Sequence, residues 1–224
     1  MDNLAIVVQG QSSHVRLMKK HLTGHNVIYS AWTGEESEYS DKDIVIFNEI
    51  PKHSGPANFN FQKISTTSGL KKAKELGFKK ALKLRSDLVP TNSNKFLKLL
   101  DNNDLNFLCW HCHEVYPKCP GYLVDYLISG DIDHLIELYD IKDTSWCVVP
   151  EIHLTQQYTS KLMDKVGINF FLSELNSDND LFWGKYNIKL SSYQNHPPYN
   201  FYKKYEFNES KKHLKEGYSS FLVG

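Results

Sequence analysis

Residues 81–90 read Ala-Leu-Lys-Leu-Arg-Ser-Asp-Leu-Val-Pro. In an extended strand residues two apart share a face, so Lys83, Arg85 and Asp87 line one side while Leu82, Leu84 and Leu88 line the other. Unpaired cations on an otherwise apolar strand are costly, and two readings meet that cost. In one, the segment is an ordinary ion-paired or edge strand. In the other, its carboxyl end opens into a binding site, where ligands of open α/β sheets usually sit. Asp87 then holds a divalent cation, Mg²⁺ or Mn²⁺, and Arg85 or Lys83 meets phosphate; such ions are commonly held by only one or two carboxylates plus phosphate oxygens.

Working outward from this strand, apolar runs of strand length recur at Leu4–Val8, Val27–Trp32 and Ile44–Ile50. Polar or amphipathic segments of helical length separate them, notably His14–Leu22 and Phe61–Leu76. Strands alternating with helices predict an α/β fold with a mostly parallel central sheet flanked by helices. Parallel strands are covered on both faces and read as continuous apolar runs, as Leu4–Val8 and Ile44–Phe47 do. After Pro90 the pattern predicts a short helix at Asn94–Leu100, a strand at Asn106–Cys112 and a helix from Ile132 to Tyr139. A further helix is expected from Glu151 to Val166, with Leu154, Tyr158, Leu162 and Val166 recurring every four residues and Pro150 at its start. No repeat, linker or clear boundary divides the chain. A single domain over 1–224 is expected, with a ligand-binding part at about 1–90, a second part at about 91–200 and a polar tail at about 201–224.

Whole-chain chemistry narrows the classes further. Lys plus Arg is 26 and Asp plus Glu is 26, so no overall positive field gathers nucleic acid. The first residues lack a basic leader region, and no apolar run approaches the roughly 18 residues that cross a bilayer. A cytoplasmic protein without a transmembrane segment is the expectation. Four cysteines are too few for a disulfide scaffold. Arg16 and Arg85 are the chain's arginines, which draws attention to the place of Arg85.

The first run ends Val8-Gln9-Gly10-Gln11. Glycine there lets backbone approach a ligand, although no GxGxxG or GxxxxGK[ST] pattern follows, against a dinucleotide-binding dehydrogenase or a P-loop enzyme. The ordered set IVVQG (6–10), IYSAW (28–32), NFNFQKISTTSGLKKAKELG (58–77), ALKLRSDLVP (81–90), GYLVDYLISGDIDHLIELY (121–139) and VVPEIHL (148–154) resembles the WavE-type lipopolysaccharide-synthesis family and related capsular or viral glycosyltransferases. The resemblance implies a GT-A-like fold and a nucleotide-diphosphate sugar donor bound at the carboxyl ends of the first strands. It implies a carbohydrate acceptor, and a chain that stands alone or as a domain of a larger synthase. It also implies a metal held by an Asp-x-Asp-like motif. Here that motif is Arg85-Ser86-Asp87, with arginine in the first acidic position, which leaves Asp87 as the metal ligand.

The same resemblance places Gln9, Gly10, Ser30 and Trp32 beside the nucleotide, with Asn58, Asn60 and Gln62 opening a long helix whose free amides meet ribose or phosphate. A plain N-cap at Asn60 is the competing reading, and the small residues Ser65–Gly69 suit close packing on the sheet. Inverting sugar transfer needs a base for the acceptor proton. Asp125, flanked by apolar residues, and Glu151 are the two candidates; Glu151 also suits a helix's first turn on electrostatic grounds. Asp131 and Asp133 read as helix-start residues.

Cys109-Trp-His-Cys112-His113 matches the c-type haem pattern C-x-x-C-H. Haem attachment requires export, which the leader does not suggest. Zinc held by Cys109, Cys112, His113 and Cys119 competes, but the usual second close-spaced pair is missing. A non-catalytic nucleotide- or sugar-binding module and a zinc-stabilised interaction domain are therefore the alternatives to a transferase.

Overall fold

The computed structural model describes residues 3–90, 97, 104–109, 123, 125–141, 150–175, 181–183 and 186–192. They form one ten-stranded mixed sheet flanked by helices. The strands are β1 (Leu4–Gln9), β2 (Val27–Trp32), β3 (Ile44–Asn48), β4 (Lys80–Arg85), β5 (Leu88–Pro90), β6 (Leu105–Cys109), β7 (Leu127–Asp131), β8 (Ile168–Leu175), β9 (Leu181–Trp183) and β10 (Tyr186–Ser192). The helices are α1 (Val15–His21), α2 (Phe59–Glu75), α3 (Ile132–Tyr139) and α4 (Pro150–Gln157). Sheet order is β3-β2-β1-β4-β7-β6-β8-β10-β9-β5.

The first half is the expected parallel α/β unit: β3, β2, β1 and β4 pair in parallel. Parallel neighbours need crossovers over a face of the sheet, and α1 and α2 fall within those crossovers. Beyond β4 the sheet turns largely antiparallel, through β4–β7, β7–β6, β8–β10, β10–β9 and β9–β5, with β6–β8 the parallel exception. The mostly parallel expectation thus holds for the N-terminal strands and gives way to a mixed sheet after them.

Strand alternation sorts the core into two layers. Ala5 and Val7 of β1 and Ala81 of β4 pack with Leu70 and Ala73 of α2 and Leu135 and Leu138 of α3. Ile6 and Val8, with Leu82 and Leu84, pack on the other side with Val15 and Met18 of α1. Gly69 lets α2 lie close to the sheet: a Cβ there would come 2.3 Å from Val7 Cγ1. That is the packing role expected of Ser65–Gly69.

Local chemistry explains the helix ends. Asp131 Oδ1 accepts from the Asp133 N–H (2.9 Å) and caps α3. Pro150 opens α4 and Glu151 lies in its first turn. The expected helix to Val166 continues from α4 as a wider π-helical turn over Tyr158–Leu162. A spacing of four drifts around an α-helix of about 3.6 residues per turn; the wider turn keeps Leu154, Tyr158, Leu162 and Val166 all buried. Residues 94–96, 98–100, 110–112 and the tail lie outside the described residues, and so do the expectations placed on them. Cys109 ends β6, whereas Cys112, His113 and Cys119 are outside them too. None of the described helices is long and apolar enough to cross a membrane.

Candidate ligand cavity at the carboxyl ends of the parallel strands

A cavity of about 790 Å³ opens where β1, β2 and β4 end. Gln9, Gly10, Trp32, Asn58, Gln62, Arg85 and Asp87 all line it. Parallel strands deliver these side chains to one end of the sheet, and α2 begins against the same opening.

Gly10 adopts φ 121°, and a Cβ there would lie 2.8 Å from Ser86 Oγ. A side chain at this position would meet both backbone strain and the neighbouring loop. The Ser86 N–H donates to Gln9 O (2.9 Å), and the Gly10 N–H to Ser30 O (3.3 Å), so the ends of β1, β2 and β4 are tied together. Gln9 is buried, and its Oε1 accepts from Ser65 Oγ of α2 (2.7 Å). Trp32 is also buried and meets Phe61 edge to face, with centroids 4.9 Å apart. The loop entering α2 holds Ala57 and Asn58 at φ 47° and 62°, a left-handed pair of non-glycine residues on the cavity wall. Such backbone is uncommon and costly. Asn60 is not the N-cap: it lies inside α2, and its Nδ2 donates to His53 O (3.0 Å).

The 81–89 strand is interrupted. Ser86 and Asp87 form a turn between β4 and β5, and that turn folds the Asp87 carboxylate back onto Arg85. Arg85 Nε donates to Asp87 Oδ1 (2.9 Å) and Nη2 to Oδ2 (2.6 Å). The guanidinium also stands over the Tyr126 ring, 4.7 Å from its centroid. Arg85 is thereby fixed in plane and direction at the cavity wall.

A divalent cation on Asp87 fits this geometry poorly. Both carboxylate oxygens already accept from a guanidinium, and a metal ion there would sit against that positive charge. Among the described residues no group of three or more His, Cys, Asp and Glu side chains is arranged to hold a metal. In this structure Asp87 stands as the partner of Arg85.

Of the expected site residues, Ser30, Asn60, Lys83, Asp125 and Glu151 do not line the cavity. Ser30 is buried beneath it and accepts from Asn48 Nδ2 (2.9 Å). Lys83 is fully buried, its Nζ 3.4 Å from the equally buried Asp125 Oδ2. Burial pulls Lys83 down to about 8, against the opposing pull of Asp125. Glu151 is partly exposed. Burial raises its carboxyl above the ordinary range, and the Asp125 charge adds to this while Arg85 and Lys83 oppose it.

Sequence reasoning passed over Glu35. Its carboxylate accepts from the Ser12 N–H and the Trp32 N–H (3.1 Å each) and pins the loops after β1 and β2 at the cavity. An acidic residue just past the second strand of an alternating β/α unit is the signal available in sequence.

No protein-family model matches the chain, and no curated protein matches it. A solved structure from Desulfovibrio desulfuricans G20, of a protein ascribed the role of nucleotide-diphospho-sugar transferase, is similar over 97% of this chain and 99% of its own. The two share 10% identity, with a TM-score of 0.47.

Proposed function

We propose that the chain binds a nucleoside-diphosphate sugar in this cavity and transfers the sugar to a hydroxyl of a glycan or polysaccharide acceptor. It would do so as a GT-A-like glycosyltransferase of the WavE-type kind. One observation carries the reading: the cavity lies at the carboxyl ends of parallel strands, between an aromatic wall, Trp32 and Phe61, and a fixed guanidinium, Arg85. Ligands of open α/β sheets bind at that end. The volume falls within the usual range for small-molecule sites. The base faces the aromatic wall and the phosphates face Arg85. The reading takes 1–224 as one transferase domain, standing alone or within a larger synthase.

In inverting transfer the bond between the anomeric carbon and the phosphate oxygen breaks, and its electron pair leaves with the nucleoside diphosphate. The acceptor oxygen forms the new bond to carbon, and its proton passes to a carboxylate. Glu151 suits that task better than Asp125. It is partly exposed with a raised pKa, whereas Asp125 is buried against Lys83. Neither lines the cavity, which is the observation favouring the second reading, a nucleotide- or sugar-binding module without turnover.

Thermal unfolding against nucleoside diphosphates and their sugars tests the proposal. A ligand at a hundred times its dissociation constant adds about 2.7 kcal/mol. If none stabilises the fold, the reading fails. The stabilising sugar nucleotide is then assayed for transfer and hydrolysis, and Glu151→Gln is expected to lower turnover by about 10²–10⁴-fold with donor binding kept. Binding without turnover in the wild type selects the module.

A further inference from the structure

We infer that Arg85, held by Asp87 and Tyr126, is the group that grips the donor's diphosphate, so that donor binding needs no divalent cation and Asp87 is a positioning residue. The inference rests on the nucleotide-sugar reading above and deepens it.

The geometry supports it in three ways. First, Asp87 engages Arg85 through Nε and Nη2 only, at 2.9 and 2.6 Å. The Nη1 edge and the second Nη2 N–H are left over from that fork, and Arg85 lines the cavity. A planar guanidinium whose second edge is not engaged by a described residue matches phosphate oxygens in pairs. Second, the Tyr126 ring 4.7 Å beneath and the carboxylate beside it fix the plane, so little side-chain entropy is lost when a ligand docks. Third, both Asp87 oxygens already accept from Arg85, so a metal ion on that carboxylate would compete with the guanidinium and stand against its positive charge. A cation would have to displace a bidentate, partly buried partner, with side chains 26% and 30% exposed.

The Arg85–Asp87 pair is neutral as a whole, so its offer to a diphosphate is a directed row of donors. The start of α2 adds to it. Asn58, Phe61 and Gln62 bring the first turn of that helix to the same cavity, where the helix dipole favours an anion. Glu35 stands at the β2 side, its oxygens accepting the Ser12 and Trp32 N–H groups. The anionic part of the ligand is therefore directed toward Arg85 and α2, away from Glu35.

The test is calorimetric titration of the full chain with UDP, GDP, ADP, CDP, dTDP and inorganic pyrophosphate, once in EDTA and once with Mn²⁺. The expected result is binding of at least one nucleoside diphosphate with the same affinity, within about threefold, in both buffers. Binding that appears only with Mn²⁺, or tightens about tenfold or more with it, overturns this inference and leaves the nucleotide reading standing. Absence of binding by every probe in both buffers overturns the nucleotide reading and this inference with it. Arg85→Gln, once shown to be folded, is expected to weaken the bound diphosphate about tenfold or more, the loss of charge-assisted hydrogen bonds. Arg85→Lys restores part of that affinity. Asp87→Asn should weaken binding equally in EDTA and Mn²⁺, and should add nothing in the Arg85→Gln background. An Asp87→Asn effect confined to Mn²⁺, or one additive with Arg85→Gln, overturns the positioning role.

Discussion

Lys83–Asp125 and Arg85–Asp87 are ion pairs whose cations stand on one face of β4, two residues apart. The first is sealed, with side chains 0% and 1% exposed and a single 3.4 Å contact. The second lies at the cavity mouth, 26% and 30% exposed, with two short parallel hydrogen bonds and an aromatic ring beneath it. Burial withdraws hydration from Lys83 and Asp125, so each depends on the other and neither is available to a ligand. Arg85 keeps partial solvent contact, and among the described residues its Nη1 edge is not hydrogen-bonded, which is what a binding group requires. Closeness in sequence therefore says little about role; the local dielectric and the access of solvent separate the two pairs.

The comparison breaks most visibly at the sealed pair. Lys83→Met leaves a buried carboxylate without its partner and is expected to cost about 3–5 kcal/mol in urea unfolding. Adding Asp125→Leu should restore most of that loss, because replacing a buried pair by apolar groups is often neutral or stabilising. The sign of the pH dependence follows from Lys83. Its folded pKa, about 8, lies below the ordinary 10.5, so the unfolded state binds more protons between those values. Wild type should gain stability relative to the double variant as pH rises through that window. A double variant as unstable as the single one would show that the Lys83–Asp125 site is not the source of the cost.

Glu151 gives an intermediate effect. Its folded pKa lies above the ordinary carboxyl value, chiefly through burial, so the folded state holds the proton longer than the unfolded chain does. Wild-type stability should fall relative to Glu151→Gln as pH rises from about 4.5 through the raised value. Parallel stability curves for the two proteins would remove the electrostatic case for Glu151 as the proton acceptor.

The smallest stability effect belongs to the mouth pair. Arg85→Gln is expected to change unfolding free energy by about 1 kcal/mol or less, since solvent screens a partly exposed pair. A loss there as large as that of Lys83→Met would show that the mouth pair is structural too and would erase the contrast.

Much of this architecture was legible from local pattern. The runs at residues 4–8 and 27–32 are strands because continuous apolar β-branched and aromatic sequence has to be covered on both faces. The run at 44–48 is also a strand but lies at the sheet edge, with Ile44 and Phe47 exposed, against the expectation that it is covered on both faces. Asp131 before an apolar run with a period near 3.6 announces α3. The convergence of Gln9, Gly10, Trp32 and Arg85 on one cavity follows from the strand-end rule for such sheets. The break after Arg85 was less legible, since Ser86-Asp87 reads equally well as continued strand.

What the sequence determined by itself is the alternation of strands and helices in the first 90 residues and the presence of two cations on one face of a buried strand. Those follow from side-chain period and hydrophobicity, which act between near neighbours. Only the tertiary structure decided the partner of each cation. Lys83 meets Asp125 because β7 lies antiparallel beside β4 and brings a residue 42 positions away to its side. Arg85 meets Asp87 because a turn replaces the last pleat of the strand. The strength of an ion pair depends on its separation and on how far solvent screens it, so it is settled by where the folded chain places the charges, and no spacing in the sequence fixes that distance.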